Sequence, residues 1–402
     1  MSDPIAPTSG LPTRVTFITH YTELYGANLS LLNLIEGLVP YGVQARVLCP
    51  DRGDLLSALD RRGVPWAVIP FEWWVSTHRT AAGTATRLAR NVRRLRPIVR
   101  QISAWETDLV YSNSSVFSIG AMAAAELELP HVWHLREFGR RDYDLWPDFG
   151  TRLSRLAFRT ADATIFVSLA LQRAFLGKAV LPHSHVIYNG IAPAKVFDDR
   201  KRAADAIRER RQPFTFVLVG RFRESKGQAV AIRALAALPA AFAETRLLLV
   251  GGAGNTGDQG YYEGCRALVA ELGLTDRVEF WGYVPDPERA FLAADAALMC
   301  SRNEAMGRVT VEAMSAARPV IGYDAGGTSE LIEDGRTGLL YRGGEAALAA
   351  CMEQYCVEPA LAVRHGEAGW QAARGRHTEE DYAARVHAVL RTVLTARGFG
   401  GR

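Results

Sequence analysis

Long apolar runs are missing from this chain of 402 residues. None approaches the ~18–20 residues that span a bilayer; the run around 116–125 stops at Glu126. Cysteine is scarce. The five residues Cys49, Cys265, Cys300, Cys351 and Cys356 are odd in number and show no zinc-type spacing, which fits reduced thiols rather than a disulfide framework. The opening MSDPIAPTSG has no apolar core of the kind a secretory leader needs. A cytoplasmic protein is the expectation. A dominant charge is also lacking: 47 Lys and Arg stand against 43 Asp and Glu, and a net +4 is too small to argue for a nucleic-acid partner.

What is present is ordinary globular material, 48% hydrophobic and 22% charged. The length suggests two to four domains at roughly 100–200 residues each. Strand-like runs alternate with helix-like segments from the start. RVTFITH (14–20) leads through YTELYGAN to LSLLNLIEGL, then to QARVLCP, a spacing that suits a parallel pair. WAVIP, DLVYSNS, HVWHL, ATIFVS and HVIYN continue the pattern. A polar, basic stretch covers 193–213, and the alternation restarts with FTFVLVG, RLLLVGG, RVEFWGYV, AALMCS and PVIGY. Short, near-continuous apolar runs suit parallel strands covered on both faces. The fold class is therefore α/β: a first Rossmann-like domain over 1–195, a second over 196–376, and a C-terminal helix over 377–402, with room for it to pack back on the first domain. Ligands of such sheets bind beyond the carboxyl ends of the strands, so two domains facing each other would hold one in the cleft.

Three loops after strands carry chemistry. In VGRFRESKGQAV, Arg221 and Lys226 precede a helix opening at Gly227; a fork donor, a point charge and a helix N-terminus together suit a diphosphate. In NEAMGRVTVEAM, Glu304 lies in a loop and Glu312 on the helix that begins near Gly307–Arg308. Eight helical steps would span about 12 Å at ~1.5 Å each. Between the two acids, the N–H groups of Gly307, Arg308 and Val309 would face an anion, while carboxylates accept from sugar hydroxyls. The bland alternatives are a solvated basic loop and two solvated glutamates. In VGGAGNTGDQGYY, Gly252, Gly254 and Gly257 spell G-x-G-x-x-G, but the helix is expected only near Tyr262. A dinucleotide fingerprint needs it at the third glycine.

Taken in order, phosphate loop, Gly-rich loop, RVEFWGYV, E-x₇-E and GYDAGGTSELIEDGRTGLLY resemble glycosyltransferase family 4, the retaining nucleotide-sugar enzymes of the GT-B fold. YGANLSLLNLIEGL, PHVWHLREF, IFVS and VIYNGI extend the resemblance over the first domain. It implies that Arg221 and Lys226 hold the donor diphosphate and stabilise the leaving group. Glu304 would bind donor-sugar hydroxyls, and the amides of Gly307, Arg308 and Val309 sugar and phosphate. It further implies Glu312 at the ribose, backbone at Tyr283 and Val284 on the base, His134 reaching the sugar, and Gly26 near the diphosphate. A core histidine at a strand end is the plain alternative for His134. The donor would be a UDP- or GDP-linked sugar, the acceptor a glycan or lipid-linked hydroxyl of a surface polysaccharide or glycolipid pathway, and no metal would be needed. Tyr25 before Gly26 and Ala192 after the N-G-I stretch depart from the family pattern. A nucleotide-sugar epimerase of the same fold and a non-catalytic sugar-nucleotide-binding protein are the alternatives.

One stretch stands apart. Seven arginines and no acid occupy 79–100, beside Phe71, Trp73 and Trp74. A basic amphipathic helix next to tryptophans suits attachment to an anionic membrane surface, so Phe71 to Arg100 is a candidate for peripheral contact. A solvated basic face is the alternative.

Overall fold

The computed structural model describes residues 13–177, 181–207, 213–254 and 256–398. The chain divides into two compact units, Met1–Gly190 with Glu379–Arg402, and Ile191–Thr378.

In the first unit the strands are β1 (Thr13–Ile18), β2 (Val43–Cys49), β3 (Trp66–Val68), β4 (Val75–Ser76), β5 (Leu109–Ser112), β6 (His131–Leu135), β7 (Trp146–Pro147), β8 (Ala163–Phe166) and β9 (Ser184–Val186). Seven of them form one sheet in the order β3-β2-β1-β5-β6-β8-β9, every pair parallel. β4 and β7 make a separate antiparallel ribbon. On one face Phe17, Tyr111, Val132 and Ile165 pack with Leu31 and Ile35 of the helix Gly26–Leu38 and with Tyr382, Val386 and Leu390 of the final helix, Glu379–Ala396. Each such side chain contributes ~1.5–3 kcal/mol when fully buried. The final helix is thus core material for the first unit.

The arginine-rich stretch is the helix Ala81–Ala104, capped by the Thr80 hydroxyl, which accepts from the Gly83 N–H at 3.1 Å. It buries Asn91, Ile98 and Ile102 and leaves Leu88 and Val92 exposed. Two of the three aromatics expected beside it at the surface turn inward instead, and Trp73 stays half-buried. Phe71 is buried against Phe117, and Trp74 is buried, stacks on Trp133 and donates to the Ser115 carbonyl at 2.7 Å. Ring area outweighs local sequence context here: two large apolar side chains gain more from the core than from water.

In the second unit the strands are β10 (Thr215–Val219), β11 (Arg246–Val250), β12 (Val278–Gly282), β13 (Ala296–Met299), β14 (Val320–Tyr323) and β15 (Gly338–Tyr341), in the order β12-β11-β10-β13-β14-β15. All pairs are parallel; Val217 of β10 lies opposite Leu248 on one side and Ala297 on the other. The chain runs outward from β10 in one direction, then returns to its other side at β13, which makes the β10/β13 boundary a topological switch point. Within the polar stretch 193–213, residues Ala194–Ala206 form a helix whose Phe197 and Ala204 are buried.

One boundary differs from expectation. The helix after β11 spans Thr256–Glu271, six residues ahead of Tyr262. The Gly-rich composition of its first turn masked it; Asp258, an acid in that first turn, favours the start electrostatically.

Candidate functional site

The loops after β10, β11, β12, β13 and β14 converge on the carboxyl edge of the second sheet. Lys226 follows β10 and Glu304 follows β13, so the switch point brings them together although 78 residues separate them. Lys226 Nζ donates to Glu304 Oε1, with 36% and 17% of the two side chains exposed. Burial alone would push the Glu304 carboxyl up; the Lys226 charge and hydrogen bond outweigh it and hold the group below the ordinary carboxylate range. Glu304 is therefore an anion held in place, an acceptor for hydroxyl donors.

Arg221 lies in the same connection after β10 as Lys226. Its Nε pairs with Asp258 Oδ2 at 3.0 Å, and the same oxygen accepts from the Gly254 N–H at 3.3 Å. Sequence reasoning missed Asp258, because it assigned 255–261 to a loop. The earlier helix start removes the objection raised against a G-x-G-x-x-G fingerprint, but the Asp258 carboxylate sits at that helix's first turn and takes the Gly254 amide. An anion there repels a second one.

The helix after β13 begins at Arg308 and runs to Ser315, with Gly307 as its N-cap at φ 90°. That left-handed backbone favours glycine. A side chain at 307 would also press on the Thr328 and Thr310 hydroxyls, at 3.2 and 3.4 Å. Both hydroxyls are buried without a hydrogen-bond partner among the described residues, so the helix start carries unsatisfied polar atoms. Gly326 and Gly327 follow β14 and pack on the Glu304 loop: the Gly327 N–H donates to the Glu304 carbonyl at 2.8 Å, and a Cβ on Gly326 would stand 2.5 Å from that same oxygen. Glu312 is 12% exposed and accepts from Arg308 Nε at 2.7 Å, while Arg308 Nη2 donates to the Ile191 carbonyl at 3.2 Å. Tyr283, 72% exposed, and Val284 follow β12, with Tyr283 next to Gly252 of the neighbouring loop. The second unit thus holds Arg221, Lys226, Tyr283, Val284, Glu304, Gly307, Arg308, Val309 and Glu312 on one sheet edge. Three of the cations, Arg221, Lys226 and Arg308, are each paired with a carboxylate.

His134 and Gly26 belong to the first unit. Gly26 opens a helix of 13 residues that has no side-chain cap and no acid in its first turn. His134 is fully buried on β6; its Nδ1 lies 2.6 Å from the Tyr111 hydroxyl and 3.3 Å from Arg136 Nη2, and its Nε2 has no partner among the described residues. Burial first, then the Arg136 charge, hold it far below the usual imidazole range, so the ring is neutral. Arg136, also missed from sequence, is itself buried, and donates to Asn113 at 2.6 Å, Asn189 at 2.7 Å and the Tyr382 hydroxyl at 3.0 Å. The sequence also carries an Asp-x-Asp spacing overlooked in the expectation of metal independence, Asp142 and Asp144. Asp142 accepts from the Phe138 N–H at 2.8 Å and Asp144 from Trp146 Nε1 at 3.0 Å.

Comparison with known proteins is consistent along the chain. A family model described as Glycosyltransferase Family 4 matches residues 25–195, and one described as Glycosyl transferases group 1 matches 199–372. A D-inositol 3-phosphate glycosyltransferase of Streptomyces avermitilis is 32% identical over 55% of this chain and 50% of its own length. A lipopolysaccharide core biosynthesis mannosyltransferase, LpcC, of Rhizobium leguminosarum is 31% identical over 53% of this chain and 61% of its own. The chain spans about half to three fifths of the length of these curated relatives. Among solved structures, Anabaena HepE in complex with UDP and glucose superposes with a TM-score of 0.78 at 24% identity, over 94% of this chain and all of that one. A sucrose-phosphate synthase from Thermosynechococcus elongatus gives 0.72 at 22%, over 96% and 100%. The fold is that of the GT-B enzymes. No helix among the described residues is long and apolar enough to cross a membrane.

Proposed function

Given that the chain belongs to glycosyltransferase family 4, we propose that it transfers a sugar from a UDP- or GDP-linked donor to a hydroxyl of a glycan or lipid-linked acceptor, with retention at the anomeric carbon. The observation that carries this reading is the meeting of Lys226 and Glu304 at the β10/β13 switch point, beside the glycine-capped helix start at 307. In the proposed reaction the bond from C1 to the β-phosphate oxygen breaks and a bond from C1 to the acceptor oxygen forms on the same face. The acceptor proton passes to the departing phosphate. Lys226, Arg221 and the amides of Gly307 to Val309 are preorganised for the growing phosphate charge, so the step requires no metal. Glu304 orients the donor sugar through its hydroxyls, and Glu312 the ribose. Tyr283 and Val284 hold the base. Gly26 is assigned the diphosphate and His134 the sugar from the first unit; His134 Nε2 is sealed from solvent, so contact with a hydroxyl requires the ring to be uncovered when the donor binds.

The relatives' names support an acceptor from bacterial surface-glycan or glycolipid assembly, and peripheral contact with an anionic membrane goes with it. The supporting surface is the outer face of Ala81–Ala104, where Leu88 and Val92 stand exposed beside Arg93, Arg96 and Arg100. The core of the proposal is tested by turnover with UDP-glucose and GDP-mannose. Arg221→Ala and Lys226→Ala are each expected to lower kcat by about 10²-fold or more, with activity unchanged in excess chelator. Near-normal turnover in both variants, or strict metal dependence, overturns it.

A further inference from the structure

The first unit holds a cavity of about 640 Å³ beyond the end of β1, within the size range of small-ligand sites. None of the residues assigned to the donor lines it. Its walls include Tyr21, Tyr25 and Trp73, and carboxylates stand around it at Glu23, Asp51 and Glu72. Tyr25 is 47% exposed, and Trp73 is fixed by its own Nε1–H, which donates to the His20 carbonyl at 3.1 Å.

His20 also lines the cavity. It is 8% exposed, and neither ring nitrogen has a hydrogen-bond partner among the described residues. Its Nδ1 is sealed, leaving Nε2 as the nitrogen open to the cavity. Burial, then the Arg136 charge, hold the imidazole neutral, down to about 3. The ring offers the cavity one nitrogen, donor or acceptor according to the tautomer, and no charge. The cation among the lining residues, Arg87, is engaged by Asp148, whose side chain is 2% exposed.

Aromatic faces attract the C–H edges of a sugar ring through their quadrupole. Carboxylates and a neutral imidazole nitrogen form hydrogen bonds with hydroxyls; Glu72 is paired with Arg90 at 3.0 Å, while Glu23 and Asp51 have no ion-pair partner among the described residues and repel a phosphate. We infer that this cavity is the acceptor site and that it takes a non-anionic, hydroxyl-rich ring, a sugar or cyclitol without phosphate, stacked on Trp73. The inference rests on the transferase reading, and it excludes acceptors whose reacting ring bears a phosphate.

Ligand-observed NMR on the full chain tests it, with methyl α-D-glucoside, glucosamine and glucose 6-phosphate as probes and calorimetric UDP binding alongside. The first two are expected to bind, with glucose 6-phosphate at least about fivefold weaker, the size of one like-charge contact near water. Trp73→Ala should weaken the first two by about two- to tenfold and leave UDP affinity unchanged. Should that variant fail to fold, Tyr25→Ala serves at an exposed wall position. Asp51→Asn should narrow the gap to glucose 6-phosphate. Glucose 6-phosphate binding as well as the glucoside, an aromatic variant that binds the sugars unchanged, or no sugar binding at all overturns the inference. Absence of UDP binding would instead strike the transferase reading, so the two failures are distinguishable.

Discussion

Lys226 and Glu304 set each other's chemistry. Burial disfavours the Glu304 anion, and the ammonium reverses that preference, so the pair's contribution to stability is present above the ordinary carboxylate range and fades as pH falls through the lowered native value. Lys226→Ala should therefore raise the Glu304 pKa above its ordinary 4.5, because only the burial effect and weaker hydrogen bonds remain. A carbon-detected titration of labelled glutamate side chains reads this directly; an unmoved Glu304 resonance would show that the two do not interact in solution. The residues proposed for the donor site were legible in the sequence only as residue types placed near strand ends. The partner of Lys226 was not legible. Nothing local to RESKG says that Lys226 meets a carboxylate 78 positions later, since strand order and not sequence distance decides that contact. Arg221's tie to Asp258 was hidden for a different reason: GNTGDQG reads as loop by composition, and glycine's helix penalty of ~1 kcal/mol is overridden by packing.

At the scale of elements, the apolar runs announced most strands of both sheets, because parallel strands buried on two faces leave little room for polar residues. The short ribbon of β4 and β7 carried no such signal, and it ties down the inward-turned Trp74, whose carbonyl accepts from the Asp148 N–H at 2.8 Å, just beyond β7. The final helix makes a separate prediction. Glu379 opens it and is 8% exposed; burial first, then Glu36 and Glu380, raise its carboxyl to about 7. Between about 4.5 and 7 the folded state holds a proton that the unfolded chain has released, so stability falls as pH rises through that window. Glu379→Gln should flatten the fall and stabilise the protein at pH 8 by an amount on the order of 1–3 kcal/mol. Thermal unfolding at pH 5 and pH 8 checks it; an identical pH slope in the variant would refute the assignment.

For the whole molecule, the membrane proposal now rests on a narrower surface than the sequence suggested. Arg87 pairs with Asp148 and Arg90 with Glu72, so the outward charge of the basic helix comes chiefly from Arg93, Arg94, Arg96 and Arg100. Flotation with vesicles containing about 30% anionic lipid should carry the protein upward at low salt. Replacing Arg93, Arg96 and Arg100 with Gln should abolish this, at ~1 kcal/mol per arginine. Equal flotation with neutral vesicles would leave the helix a solvated basic face. The path of the chain has its own outcome. It leaves the first unit at Gly190 and returns at Glu379, where Ala192 pairs with Thr378 and the Ile191 N–H donates to the His377 carbonyl. During synthesis the part of the first unit made before Ile191 must wait. Everything from Ile191 to Thr378 can emerge and close its own core while the opening 190 residues still lack Tyr382, Val386 and Leu390. The first unit to be translated is thus the last to be finished, and it spends that interval with the apolar face of its sheet in need of cover.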